Sequence, residues 1–270
     1  MSTFRSCALA YRYSSIDRIE VPPTPWMAKG TLVHRALERL YDEVPQGQRS
    51  PAVARHLLRD SVVGVLGDDE HAGVDVGDVD EFVKDAEALV ANLFLLEDPD
   101  TIRAVGLELK LEATMPGGAV IRGVIDRLDL LDDGSLVVVD YKTGTAPSEA
   151  YEKERLGGVQ MYAHLVEVTF GVVPARVELL HLREPVAISS RPSPAAHAQL
   201  LRRTDAIWRA ITTACDDDAF EPNTGPLCGV CAFGERCPAF APERAHAPGS
   251  PSRLGEAGRQ HRRSPGLVNG

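Results

Sequence analysis

Two aspartates and a lysine near the middle of the chain have types and spacing that could do chemistry. Asp126 closes the run Gly123-Val124-Ile125-Asp126; Asp140 and Lys142 belong to Val138-Val139-Asp140-Tyr141-Lys142. Both runs read as strands, joined at Asp132-Asp133-Gly134. A three-residue hairpin loop suits a glycine in last place, where the left-handed conformation is needed. That loop predicts Leu130 opposite Leu136 and, further along, Asp126 opposite Asp140. Directly opposed residues share a face, and Lys142, two residues on, shares it too. Val124, Leu128, Leu130, Leu136 and Val138 fall on the same side. Two carboxylates facing each other across an apolar sheet face repel, and burial worsens the repulsion. A hard divalent cation such as Mg²⁺ would relieve it. The plainer alternative is an aspartate pair at a strand end with a lysine counter-ion, and spacing alone does not separate the two.

A second constellation is made of cysteines. There are five, Cys7, Cys215, Cys228, Cys231 and Cys237. The last three stand within ten residues, and Cys7 is the candidate for the fourth ligand of a soft four-coordinate site. An odd count clustered at one end, behind an N-terminus without an apolar signal segment, does not read as a disulfide framework. Both structural zinc and iron–sulfur clusters take four cysteines, and the spacing favours neither. Cys215 falls on a predicted helix and reads as a buried apolar residue.

The elements that must position these groups follow from hydrophobic periodicity. Residues 1–27 read as irregular. Helices are predicted at about 30–43, 50–66 and 80–96, with a glycine-containing acidic loop from Gly67 to Asp78. The last of these helices carries Phe82, Ala86, Leu89, Leu93 and Leu96 on one face. The period then changes to two, with Val105, Leu107, Leu109 and Leu111 alternating with Gly106, Glu108, Lys110 and Glu112. Met115-Pro116-Gly117-Gly118 is a turn, followed by strands over 119–131 and 135–143, a helix over 148–170 and a strand over 175–182. Ser193-Pro194 marks the start of a helix running to about Cys215. From Ala241 the chain is rich in Pro, Gly, Ser and Arg and is expected to be a disordered tail. The expected organisation is an N-terminal segment 1–27, a core 28–215 with a helical insertion at about 50–100, a cysteine segment 216–240 and the tail 241–270.

In this order, Gly30-Thr31-Leu32-Val33-His34, Glu108, Gly123-Val124-Ile125-Asp126-Arg127 and Val139-Asp140-Tyr141-Lys142-Thr143-Gly144 resemble the RecB-like exonuclease branch of the PD-(D/E)XK nuclease superfamily. The resemblance spans roughly residues 1–240. It implies an α/β restriction-endonuclease-like core, a mixed central sheet flanked by helices. It implies His34, Asp126 and Asp140 as ligands of Mg²⁺ or Mn²⁺, with the Tyr141 carbonyl as a further oxygen. Lys142 would act on the attacking water or the phosphate charge, and Glu108 would sit at the edge of the metal. Taken singly, a helix-face histidine such as His34 is more often an ordinary surface or core group, and an exposed strand face accounts for Glu108 equally well. Cys7 with Cys228, Cys231 and Cys237 resembles the iron–sulfur staple of such nucleases, which implies a [4Fe–4S] cluster joining the N- and C-terminal segments, with zinc as the alternative. The family's Gln-x-x-x-Tyr signature is altered here to Gln160-Met161-Tyr162. Matched on Tyr162, the glutamine position is Gly158; matched on Gln160, the tyrosine position is His164. Gln160, Tyr162, Arg5 and Arg12 are the expected DNA contacts. Phe4, Tyr11 and Tyr13 would either stack on bases or pack around the cluster.

Bulk properties bound the partners. The net charge of −10 opposes nucleic-acid binding. It is unevenly spread, however: residues 61–110 carry thirteen Asp/Glu against three Lys/Arg, and 1–60 carry nine Lys/Arg against six Asp/Glu. No apolar run reaches a membrane span, so a cytoplasmic protein is expected. No GxxxxGK[ST] loop is present, so a helicase or repair partner would be a separate chain. The leading expectation is a metal-dependent DNA exonuclease acting on single-stranded ends in repair or recombination. A non-catalytic DNA-binding or assembly module with the same fold is the second, and a zinc-dependent structural or regulatory protein the third.

Overall fold

The structure, a computed structural model, describes residues 1–145 and 149–240, and for 149–159 the backbone alone. The expected tail 241–270 lies outside the described residues. In chain order the helices are α1 (Ser2–Ser6), α2 (Ala8–Tyr11), α3 (Pro25–Glu43), α4 (Pro51–Gly67), α5 (Val79–Leu96), α6 (Glu149–Phe170) and α7 (Pro194–Asp216). The strands are β1 (Ala104–Thr114), β2 (Val120–Leu130), β3 (Leu136–Lys142), β4 (Arg176–His181) and β5 (Val186–Ser190). They form one mixed sheet in the order β1-β2-β3-β4-β5, as the α/β expectation requires. No described helix is long and apolar enough to cross a membrane.

Local chemistry explains the helix starts. Thr24, Ser50, Asp78 and Ser193 each accept a backbone N–H from three residues on, which satisfies one of the orphan donors of a first turn. Proline follows the cap in α3, α4 and α7, where its missing N–H costs nothing. The N-terminal segment departs from the expectation of irregular chain. It is helical in short pieces, with a π-turn over Arg12–Ile16. Those pieces are too short for an apolar period to show. β5 was also unexpected; its mostly exposed residues make it an edge strand without a buried stripe.

The described residues divide into two units, one of Met1–Val21, Ala113–Arg122 and 201–240, the other of Pro22–Glu112 and Gly123–Leu200. In the second unit, the stripe of α3 (Ala28, Leu32, Val33, Ala36, Leu37, Leu40) meets α4, α5 and one sheet face of Val137, Val139, Tyr141 and Leu180. Each fully buried aliphatic side chain contributes about 1.5–3 kcal/mol. Lys29 of α3 and Arg183 both pair with Asp85 of α5, at 2.7 and 2.9 Å. These two cations hold the Asp85 carboxyl down to about 2. β3 and β4 run parallel, and α6 supplies the crossover that parallel neighbours need. Gly123 lies where α6 passes the sheet: a Cβ there would stand 2.8 Å from Leu165.

Beneath the β2–β3 hairpin sits a buried polar network. Arg127 is wholly buried, and all five of its N–H donors are used: two on Glu97, two on Asp129 and one on the Tyr141 hydroxyl. The Tyr41 ring covers the guanidinium at 4.3 Å. Burial pushes the Asp129 carboxyl up to about 6 in spite of Arg127. In the sequence Arg127 has no evident role, and nothing local marks Glu97 or Asp129 as its partners.

Candidate active site

The hairpin register is the predicted one. Leu130 pairs with Leu136, Leu128 with Val138 and Arg127 with Val139. Gly134, at φ 82°, closes the turn. Beyond Arg127 the ladder changes. The Asp126 carboxylate, through Oδ2, accepts the Tyr141 N–H at 2.6 Å, the position a ladder carbonyl would otherwise fill. Simple alternation places Asp126 and Asp140 as equivalent facing carboxylates; in the structure they are engaged differently. Asp126 is held by the neighbouring strand's backbone. Asp140 accepts the Tyr162 hydroxyl at 2.9 Å from α6 and meets Lys142 Nζ at 2.6 Å.

His34, on α3, brings Nδ1 to 3.4 Å from Asp126 Oδ1, and its ring stands edge-on to Tyr141. Glu108 completes the group. One ligand atom from each of His34, Glu108 and Asp126 lies within 4.8 Å of the others. Glu108 reaches this place from an unusual backbone, with φ 45° in the middle of β1. A left-handed non-glycine residue costs about 1–3 kcal/mol and persists only where its surroundings enforce it. The turn takes Glu108 out of the simple alternation that made an exposed face an adequate account of it.

The electrostatics are those of crowded carboxylates. Burial raises the Glu108 pKa, and the Asp126 charge adds to it. Burial also raises Asp140, against the pull of Lys142 and with a further push from Asp126. Burial opposes a proton on His34, yet Asp126, Asp140 and Glu108 outweigh it and lift its pKa. Asp140 Oδ2, although close to Lys142 Nζ, accepts no well-aligned hydrogen bond. A donor set of three carboxylates and one imidazole, with an oxygen to spare, fits a hard divalent cation. Tyr141 joins the site through its backbone, since its ring is buried against Arg127.

The remaining expected residues divide. Tyr162, expected at DNA, donates a hydrogen bond to Asp140, and burial with the Asp140 charge raises its pKa. Gln160, two residues earlier, is half-buried; the side chain of position 158 lies outside the described residues. Arg12 is paired with Asp17 and Asp218, at 3.3 and 2.7 Å, and lies over the Phe220 ring, so its charge is already met. Arg5 is exposed. Tyr11 is buried edge-on to Phe4, which removes it from base stacking. Tyr13 packs on Phe233 and donates to the Arg236 carbonyl.

Cys7 and Cys228 are brought to one short segment: the Asn223 N–H donates to Cys7 Sγ at 3.5 Å and the Gly225 N–H to Cys228 Sγ at 3.3 Å. Asn223 also donates to the Ser6 carbonyl. Among the described residues, no three cysteine sulfurs gather within 4.8 Å of one another. Cys215, expected to be buried, is exposed on α7; it continues the spacing of the buried stripe Thr204, Trp208 and Ile211 but stands in the last turn of the helix.

Residues 1–238 match the sequence profile of the PD-(D/E)XK nuclease superfamily. The chain is 23% identical to the Gene 69 protein of Mycobacterium phage D29, over 89% of this chain and 95% of that one. It is 22% identical to the Gene 69 protein of Mycobacterium phage L5, over 89% and 94%. A shorter likeness, 28% identity over 42% of this chain, covers 10% of one subunit of the ATP-dependent helicase/deoxyribonuclease of Streptococcus mutans. The crystal structure of a candidate exonuclease from Eubacterium rectale superposes with a TM-score of 0.51 at 12% identity, over 83% of this chain and 80% of that one. That superposition shows a shared fold.

Proposed function

Since the chain belongs to the PD-(D/E)XK nuclease superfamily, we propose that it is a metal-dependent DNA exonuclease acting on single-stranded ends in repair or recombination. The observation that carries this reading is the convergence of His34, Glu108 and Asp126 within 4.8 Å, beside the Asp140–Lys142 pair at 2.6 Å. Asp126, Asp140, Glu108 and His34, with the Tyr141 carbonyl, would hold Mg²⁺ or Mn²⁺. When bound, the ion would lower the pKa of a coordinated water and offset the charge of the scissile phosphate. Lys142 would orient the attacking water or meet the charge that develops on the phosphate. Tyr162 holds the Asp140 carboxylate in position. The name of the Streptococcus mutans relative, a helicase/deoxyribonuclease, supports DNA as substrate and a separate helicase as a partner.

Cys7, Cys228, Cys231 and Cys237 would hold a [4Fe–4S] cluster, with zinc as the alternative occupant. The fit rests on the two backbone N–H groups aimed at Cys7 and Cys228, since thiolate sulfur is stabilised by such donors. The cluster would tie the first helices of the chain to its cysteine segment.

The test is digestion of end-labelled single- and double-stranded DNA by anaerobically purified protein, with Mg²⁺, Mn²⁺ or EDTA. Progressive shortening from the ends that stops in EDTA and in Asp140→Ala is expected. Folded protein that binds DNA but cuts nothing with either metal overturns the proposal in favour of a non-catalytic DNA-binding module.

A further inference from the structure

A second ligand-bearing cluster lies on α6, which connects β3 to β4, and on the start of α7, and the reaction above makes no use of it. His164 and Glu167 stand one turn apart on α6, and His197 stands in the first turn of α7. His164 Nδ1 and His197 Nε2 are 2.9 Å apart, and His197 Nδ1 is 3.6 Å from Glu167 Oε2. One ligand atom from each of the three lies within 4.8 Å of the others.

From this geometry we infer a transition-metal site of two imidazoles and one carboxylate, formed by His164, Glu167 and His197 and suited to Zn²⁺. Imidazole nitrogen and carboxylate oxygen are its common ligands, and three protein ligands leave the fourth position to water. Zinc–nitrogen bonds of about 2.0–2.1 Å at a tetrahedral angle need nitrogens roughly 3.3 Å apart. The two rings must therefore separate by only a few tenths of an ångström.

Three observations support a ligand there. His164 is buried, and the polar contact its ring makes is through Nδ1, with Nε2 of His197, the two atoms that would face the ion. Burial and the neighbouring His197 lower its pKa, so the ring is neutral and a lone pair is available. His197 and Glu167 keep 32% and 39% of their side chains exposed, which leaves the ion a way in. The site is separate from the carboxylate centre: His164 follows Tyr162 by two residues, which turns the two side chains to opposite sides of α6. A zinc ion here would clasp α6 to the start of α7 and steady the helix that delivers Tyr162 to Asp140.

The test is zinc content by mass spectrometry of the intact chain. It is dialysed against Zn²⁺ with excess Mg²⁺ to occupy the carboxylate centre, the cysteines being common to all samples. The wild type should retain one more zinc per chain than His197→Ala or Glu167→Gln. Its melting temperature should rise by about 5–10 °C at a hundredfold excess over Kd, a rise the variants lack. His197→Cys, which keeps a ligand, should recover the zinc. Equal zinc content and an equal thermal response in wild type and folded His197→Ala overturn the site. Should His197→Ala not fold, Glu167→Gln carries the same comparison. Neither outcome depends on cutting DNA, so the site stands or falls apart from the nuclease proposal.

Discussion

Asp140 and Lys142 sit two residues apart on β3, and their contact at 2.6 Å makes them separable by mutation. Lys142→Ala removes a cation whose worth lies in meeting charge present only in the transition state. It should lower the rate of DNA cleavage by about 10²–10³-fold or more and leave DNA binding within a few-fold of wild type. Gel-shift and single-turnover assays on the folded variant make the comparison, and wild-type cutting by Lys142→Ala would remove the central residue of the mechanism. This pair was legible in the sequence because residues two apart on a strand must share a face. The partnership of Tyr162 with Asp140 was not, since nothing in a strand pattern says which residue of a distant helix arrives above it.

At the scale of elements, β1 shows how a strand can be bent for a site. Glu108 holds φ 45°, a conformation glycine adopts without strain. Glu108→Gly should therefore leave stability unchanged or raise it by up to about 1 kcal/mol, while metal-dependent cleavage falls because a carboxylate is gone. Thermal denaturation alongside a Mg²⁺ titration of activity would show the two moving apart; a large loss of stability would mean that Glu108 is a structural residue. The β2–β3 hairpin rests on Arg127. Arg127→Met leaves Glu97 and Asp129 buried without their counter-charge and should cost about 3–5 kcal/mol in urea unfolding. The register of this hairpin followed from Asp132-Asp133-Gly134 alone. The edge strand β5 did not follow from anything, because its exposed side chains lack a buried stripe.

Across the whole molecule the buried charges set a pH response. The Asp129 carboxyl titrates at about 6 in the folded protein, above its ordinary value of about 3.9. The folded state thus holds this proton more tightly than the unfolded chain does. The stability it contributes is full below about pH 3.9 and is lost as pH rises through about 6. Asp129→Asn cannot lose that proton. Relative to wild type, it should gain about 2–3 kcal/mol on going from pH 4 to pH 7.5, read from urea unfolding at the two pH values. A difference that does not change with pH would place the Asp129 titration elsewhere. The cysteines act at the same scale, because Cys7 and Cys228 meet at Asn223–Gly225 from distant parts of the chain. If they carry a [4Fe–4S] cluster, anaerobic protein should be brown with about four irons per chain. Cys231→Ser should lose colour and stability before it loses the chemistry of the carboxylate site. Colourless protein holding stoichiometric zinc would assign the cysteines to zinc.

What the sequence by itself determined is what short-range geometry dictates. Hydrophobic periodicity placed the long helices, the Ser193-Pro194 cap placed the start of one of them, alternation placed the strands, and one glycine-ended loop set the register that brings β2 and β3 together. The superfamily was legible too, because its residues stand in a fixed order along the chain. Tertiary structure alone decided the rest. It turned Asp126 to take the Tyr141 N–H, brought Glu108 and His34 from separate elements to one point, and buried Arg127 with every donor met. It also set His164 against His197. These are meetings of residues far apart in sequence, and no local period encodes them: which helix lies over which strand is settled only when all the apolar faces are buried at once.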